Sequence, residues 1–308
     1  MRENDKVTAL VVTYNRKRLL ERCLRSLFNQ EHELHQICVI DNNSTDGTPE
    51  LVAEFQKQGC IDIAYIRLTE NLGGAGGFRE GFRWALERGD WDWLLVMDDD
   101  AAPDREYVKR LLEQSHNNPD IRCLTGTEYV GDTMRISYGG RRVIDKASTM
   151  RTALVPKEWY GKESFCVDTA TFVGLMIHAN VVQMVGLPDA DFFIYYDDTD
   201  YCFRIRKYTK ILHVTGARIV HREDFENDVL VEGQQEWRQF YLYRNELVIK
   251  KRHIKHWYIR YAWIARAYLR KIRDILKGEN EKGHKIRIVT RATMDVLLNR
   301  LGKADYVK

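Results

Sequence analysis

Three aspartates in a row, Asp98, Asp99 and Asp100, end the apolar run Trp93-Leu94-Leu95-Val96-Met97. Like charges side by side repel, so the triplet asks for a cation nearby. A second acidic knot, Asp197-Asp198-Thr199-Asp200, lies in FFIYYDDTDYCF. Clustered carboxylates can hold a cation, take a proton from a hydroxyl or cap a helix; one of these three acids could serve as a cap, but a cap does not need all three. Asp41 closes ICVID and opens the turn-rich NNSTDGTPE, where Asn42, Asn43 and Asp46 suit Asx turns or an N-cap. The glycines of ENLGGAGGF, 70–78, would let backbone N–H groups approach a phosphate, or would simply permit a tight turn with close helix–sheet packing. Neither GxGxxG nor a Walker A loop follows the first apolar run, which ends in TYNR.

The elements that must position these groups alternate. Val7–Thr13 is an apolar run expected to be a strand covered on both faces, 37–40 a second buried strand, and 61–68 and 93–97 a third and a fourth strand. Helical spacing marks 16–30 and 78–88, and Thr48–Gln58 has Pro49 in its first turn. Such alternation predicts a Rossmann-like, doubly wound, mostly parallel sheet with ligands at the carboxyl ends of its strands. Thr13-Tyr14-Asn15, Asp41-Asn42-Asn43 and Asp98-Asp99-Asp100 all sit at those ends. From 120 to 170 the pattern turns to short strands, and 229–277 is helical again. Residues 278–283 form a candidate hinge before a last helix near 286–301.

With 44% hydrophobic and 30% charged residues in 308, the chain is expected to fold as one large α/β domain or a domain with an appendage. No apolar run is long enough to span a bilayer and the N-terminus lacks a signal-peptide core, so a cytosolic protein is expected. Six dispersed cysteines without CxxC pairing are expected to be reduced thiols. Residues 250–287 hold 13 Lys/Arg against 3 Asp/Glu, which leaves the rest of the chain net negative against an overall +3. A basic segment with Ile254, Trp257, Tyr261, Ile264, Tyr268, Ile272 and Leu276 near one helical stripe fits packing on the body, an anionic membrane surface, or nucleic acid. No nucleic-acid motif accompanies it, and the expectation is a helix over 250–277 that packs inward and presents cations to lipid headgroups.

Taken together, VVTYNR, VIDNNSTDGT, NLGGAGGF and an apolar strand ending in DDD resemble the inverting family-2 glycosyltransferases of GT-A fold, over about residues 6–225. Within that family the sequence is most similar to galactofuranosyl- and rhamnosyltransferases, which pair an NLGGAGGF-like loop with DDD and a later DD-x-[DE]. The resemblance implies a catalytic domain over 1–228, with a nucleotide-sugar half (1–104) and an acceptor half (105–228), followed by a basic helical region over 229–308. It implies Mn²⁺ or Mg²⁺ held by Asp98 and Asp100, which alternation places on one side of an extended chain, with His221 of IVHREDF as third ligand. His213 is read as structural, and Asp104 as part of a solvated turn. Asp99 would face the ribose or sugar. Asp41 would accept from the base imide, with Thr13, Tyr14 and Arg16 lining the base, and Asn71, Gly73 and Gly74 would approach the diphosphate. Asp198 is the expected base, Asp197 would bind donor or acceptor hydroxyls, and Asp200 closes the motif where relatives often have Glu.

Further elements are read the same way. Thr171-Phe172-Val173-Gly174 would line the acceptor site, and Trp159 is either a sugar-stacking face or ordinary packing. Arg244 of YLYRNE is either an acceptor-phosphate ligand or half of a buried Arg–Glu pair. The implied reaction is direct displacement with inversion, from UDP-galactofuranose or alternatively dTDP-rhamnose, onto a glycan or polyprenyl-diphosphate glycan at the inner face of the plasma membrane. A nucleotidyltransferase would need a glycine-rich basic signature after the first strand, and a non-catalytic binding protein would be expected to have lost one acidic knot.

Overall fold

The computed structural model describes residues 5–131, 135–221, 234–278 and 281–304. Four parallel strands, β1 (Val7–Thr13), β2 (Gln36–Asp41), β3 (Asp62–Arg67) and β4 (Trp93–Asp98), form one half of a large sheet. Helices α1 (Lys17–Phe28), α2 (Thr48–Gln58) and α3 (Gly73–Arg88) connect them. All seven residues of β1 and all six of β2 are buried, as expected of strands covered on both faces. After β5 (Ala101–Pro103) and α4 (Tyr107–Asn117), β6 (Cys123–Val130) continues the sheet, with β7 (Arg135–Ile136) on it. A smaller sheet of β8 (Arg141–Lys146), β9 (Arg151–Leu154) and β11 (Thr169–Ala170) stands apart, with β10 (Ser164–Val167) returning to the main sheet.

The chain then runs through β12 (Leu175–His178), α5 (Ala179–Val185), α6 (Asp197–Ile205) and β13 (Ile211–His221). The order across the main sheet is β10-β13-β6-β12-β4-β1-β2-β3. β12 is antiparallel to both neighbours, whereas β13 and β6 are parallel. The doubly wound, mostly parallel sheet expected from the sequence is present, interrupted by β12.

Among the described residues the C-terminal region is three helices, α7 (Gln234–His253), α8 (Trp257–Lys277) and α9 (Lys282–Leu297). One helix over 250–277 is not formed, because the chain breaks at 254–256. The inward face of α8 also differs from the expected stripe. Ile264 and Ala267 are buried, while Trp257, Tyr261 and Leu276 are exposed along with Tyr258 and Leu269. Among the described residues no helix is long and apolar enough to cross a membrane. All six cysteines are free thiols.

α3 begins at Gly73, five residues earlier than the periodicity of its apolar residues suggests. The reason is packing. A Cβ on Gly77 would lie 2.5 Å from Val12, and one on Gly81 would lie 2.2 Å from Leu10. The glycine face of α3 therefore lies directly on β1, and the glycines serve chiefly as contact surface.

Candidate functional site

The acidic triplet follows β4 at the centre of the sheet, and two registers bring its partners to it. β13 pairs antiparallel with β5 so that His221 stands opposite Ala101, the residue after Asp100. β13 also pairs in parallel with β6, Ile219 opposite Glu128 and His221 opposite Val130. Residues two apart share a face of a strand, so Glu128 lies diagonally beside His221. As a result His221 Nε2 is 3.0 Å from Asp100 Oδ1, and His221 Nδ1 is 2.9 Å from Glu128 Oε1.

The cations that offset the triplet are in the protein itself. Arg16 Nη1 donates to Asp100 Oδ2 at 2.9 Å and lies 3.5 Å from Asp99 Oδ1. Arg16, which the resemblance places beside a nucleotide base, here meets the triplet. Thr13 Oγ1 donates to Asp99 Oδ2 at 2.7 Å, so Asp99 is held within the protein as well; Tyr14 is exposed. Burial and the neighbouring Asp100 push the Asp98 carboxyl well above the usual range. Burial takes Asp99 up to about 7, against the opposing pull of Arg16. Burial alone would lower the His221 pKa, but Asp100 and Glu128 outweigh it and raise the pKa well above the usual histidine value.

One ligand atom each from Asp98, Asp100 and His221 lie within 4.8 Å of one another. Asp100 Oδ1 is buried and faces His221 Nε2 at 3.0 Å, with no well-formed hydrogen bond among the described residues. A buried carboxylate oxygen left in that state is unfavourable, and a divalent cation would satisfy it. Two carboxylates and an imidazole are a donor set that fits such an ion. Glu128 accepts from His221 Nδ1, which would fix the tautomer that leaves Nε2 free to ligate.

Glu128 and its own partner, Arg141, are the functional candidates that sequence reasoning missed. Arg141 is fully buried at the start of β8 and binds Glu128 Oε2 at 2.6 Å. Its guanidinium also donates to the Thr125 and Thr171 hydroxyls and to the Val173 carbonyl. Burial would raise the Glu128 pKa, yet His221 and Arg141 prevail and hold Glu128 ionised. Thr171 and Val173, expected to line an acceptor site, thus help fix this arginine.

The second knot opens α6. Burial, reinforced for Asp197 by the adjacent Asp198, pushes both carboxyls above their ordinary range. Asp198 accepts from the Thr199 N–H at 2.5 Å and from the Thr199 hydroxyl at 3.1 Å, and it lies within the electrostatic reach of Arg141 and Glu128. Glu128 and Arg141, tied to the first group through His221, thus act on the second through their charges. Asp200, which closes the motif, adds to the charge around Asp197 but turns toward other partners. Two residues along a helix is about 200° of rotation, and its oxygens meet Arg204 at 3.0 Å and His253 at 2.8 Å.

The approach to α6 is strained. Phe193, Tyr195 and Tyr196 all have positive φ, at 62°, 65° and 70°, a conformation costing roughly 1–3 kcal/mol for each such residue. Asn245 of α7 holds it, its amide donating to the carbonyls of Phe192, Ile194 and Tyr195. Arg244, buried, donates to the carbonyls of Asp191, Phe192 and Gly302. It clamps the backbone that presents Asp197 and Asp198.

The strand ends hold the other expected site residues. Asp41 is fully buried and accepts from Ser44 N–H at 2.8 Å and Tyr65 OH at 2.5 Å, so it anchors the turn and Tyr65. Gly73 has φ 75°, its Cβ position lies 2.1 Å from the Phe193 carbonyl oxygen, and its N–H is taken by Asn71 Oδ1. Asn71 and Gly73 thus close a turn against the loop before α6, whereas Gly74 faces open space. Asp46 behaves as a cap, accepting from Thr48 and from the Lys17 N–H. His213 is buried and stacks on Phe165, and Trp159 packs edge-on against the same ring.

With this geometry in view, comparison with known proteins is informative. The model of the family described as Glycosyl transferase family 2 matches residues 8–179. Galactofuranosyltransferase GlfT1 of Mycolicibacterium smegmatis is 28% identical over 201 residues, 65% of this chain and 65% of that protein. GlfT1 of Mycobacterium tuberculosis H37Rv is 30% identical over 200 residues, 64% and 63% respectively. Poly-beta-1,6-N-acetyl-D-glucosamine synthase of Staphylococcus aureus is 24% identical over 189 residues, covering 61% of this chain and 43% of that protein. The match thus spans just under two thirds of the GlfT1 relatives. Among solved structures, GalNAc-T7 with UDP, GalNAc and Mn²⁺ superposes with TM-score 0.61 at 14% identity, covering 93% of this chain and 55% of that one. The mannosyltransferase PcManGT from Pyrobaculum calidifontis, with GDP-Man and Mn²⁺, gives TM-score 0.54 at 14% identity, covering 96% and 74%. At that identity the likeness speaks for the fold.

Proposed function

The chain belongs to glycosyl transferase family 2 and has the GT-A fold, and we propose that it transfers a sugar from a nucleoside diphosphate to an acceptor hydroxyl with inversion. The observation behind this reading is the Asp98–Asp100–His221 cluster tied through Glu128 to Arg141, and the charges of that pair also act on Asp198. Asp98, Asp100 and His221 would hold the divalent ion, and the imidazole favours Mn²⁺ over Mg²⁺, which prefers an all-oxygen shell. When bound, that ion would neutralise charge on the departing diphosphate.

Asp198 accepts the proton of the attacking hydroxyl. Its raised pKa suits a base working near neutrality, and the Arg141 guanidinium tempers the charge that remains. Asp197 positions the hydroxyls beside it. Gly74, in open space at the start of α3, is where a backbone N–H approaches the donor phosphates. Tyr14, exposed at the end of β1, remains available to a base.

The GlfT1 relatives support UDP-galactofuranose as donor; dTDP-rhamnose is the second reading. The acceptor is a glycan or a polyprenyl-diphosphate glycan, reached at the inner face of the plasma membrane. The exposed Trp257, Tyr258, Tyr261 and Leu269, among the basic residues of α8, support adsorption to an anionic surface. Hydrolysis of a panel of UDP- and dTDP-sugars with Mn²⁺ tests the donor. Turnover only of UDP-galactofuranose fits, turnover only of dTDP-rhamnose selects the second reading, and none with any nucleotide sugar removes both. Flotation with phosphatidylglycerol vesicles at low salt tests the membrane contact, and failure to float removes it.

A further inference from the structure

A second charged cleft, of about 470 Å³, opens between α3, α6 and α7. Arg79, Arg204, Lys207, Arg252 and His253 line it, with Asp189 and Asp200 as the two carboxylates among the described residues. Four permanent cations against two acids leave an excess positive charge before His253 is counted.

The acids are already committed. Asp200 accepts from Arg204 and His253, and Asp189 pairs with Arg252 at 2.5 Å. Two cationic groups keep donor capacity to spare. Arg204 uses Nε on Asp200 and Nη1 on the carbonyls of Val185 and Leu187, while its Nη2 is buried and has no hydrogen-bond partner. Lys207 is exposed at the end of α6, where no carboxylate among the described residues pairs with it. Arg79 spends one nitrogen on the Pro188 carbonyl. A buried guanidinium nitrogen with nothing to donate to, beside an unpaired ammonium, is the arrangement that a multivalent oxyanion completes.

We propose that this cleft binds a phosphate or diphosphate group, and that the group belongs to the acceptor and not to the nucleotide donor. The second half of the proposal rests on the transferase reading above. The cleft and the base are placed on one short helix, since six residues from Asp198 to Arg204 advance about 9 Å. They lie on different faces of it, so an acceptor anchored at Arg204 and Lys207 could extend round α6 toward Asp198 without entering the site built on Asp98 and Asp100. The spare Arg204 Nη2 and the Lys207 ammonium thus supply a reason for an acceptor to carry phosphate.

The test is titration calorimetry of the full chain with inorganic pyrophosphate in buffer stripped of divalent metal. The wild type and Asp98→Asn should bind it equally. Lys207→Ala and Arg79→Ala, both at positions with exposed or half-exposed side chains, should each weaken binding by roughly tenfold or more, as expected for a charge-assisted hydrogen bond. No binding by the wild type, or equal binding by the double variant, overturns the cleft. A short prenyl diphosphate should then displace pyrophosphate, while phosphatidic acid vesicles should not. The reverse pattern assigns the cleft to a lipid headgroup and overturns the acceptor assignment. Because neither donor nor metal is present, failure of the transferase reading leaves the pyrophosphate result unchanged.

Discussion

Glu128→Gln separates two roles that the structure gives one carboxylate. The substitution preserves shape and removes charge. At His221 Nδ1, 2.9 Å away, it weakens the acceptor that holds the ring for ligation, and loss of such a partner typically costs about 10–100-fold in metal affinity, or about 1.4–2.7 kcal/mol. At Arg141, 2.6 Å away and fully buried, it removes the counter-charge. Breaking a buried pair costs about 3–5 kcal/mol, and the hydroxyls of Thr125 and Thr171 with the Val173 carbonyl hold the loss to the lower end. At about 2–4 °C per kcal/mol, melting should fall by roughly 6–12 °C. Mn²⁺ titration by calorimetry without nucleotide, beside a melting curve, reads both. A Kd for Mn²⁺ within twofold of wild type, with the melting temperature lowered as expected, would refute the reasoning, because Glu128 would then serve Arg141 alone.

Four further outcomes are expected. Asp198→Asn should lower kcat by roughly 10²–10⁴-fold while UDP binding with Mn²⁺, followed by calorimetry, stays within a few-fold; parallel loss of both would remove the base assignment. Because the Asp198 carboxyl is pushed up to about 6 and must be ionised to accept a proton, kcat/KM should fall as pH drops below about 6 and level off above it, and a profile flat down to pH 4 would contradict this. Asn245→Ala frees three carbonyls of the strained segment before α6, so kcat should drop at least about tenfold with Mn²⁺ affinity unchanged in the same titration. Gly73→Ala meets the Phe193 carbonyl at 2.1 Å with φ 75° and should destabilise by about 1–3 kcal/mol, whereas Gly74→Ala meets nothing within 4 Å and should leave melting unchanged.

What could be read from the sequence is what depends on neighbouring residues. The buried runs of β1, β2 and β4 and the polar residues that end them placed Thr13, Asp41 and Asp98–Asp100 at one edge of a sheet, because strand direction follows from alternation with helices. What could not be read depends on register between distant strands. Glu128 in TGTEYV looks like any surface acid until β6 pairs with β13 and sets it beside His221. Arg141 looks like any exposed arginine until β8 closes over Thr125 and Thr171. Asn245 and Arg244 lie about 50 residues from the backbone they hold. The glycines of 73–77 carry the same ambiguity in reverse, since only the packed position of α3 on β1 separates contact surface from open phosphate loop. Asp200 shares a motif with Asp198 yet faces another cleft, which follows from helix geometry once α6 is known to begin at Asp197.

The most direct test of the two-group arrangement is anomalous diffraction at the manganese edge from crystals grown with Mn²⁺ and UDP. A single strong peak enclosed by Asp98, Asp100 and His221, with Asp197 and Asp198 facing it across the nucleotide, is the expected result. A peak bound elsewhere, or none at saturating Mn²⁺, would contradict it.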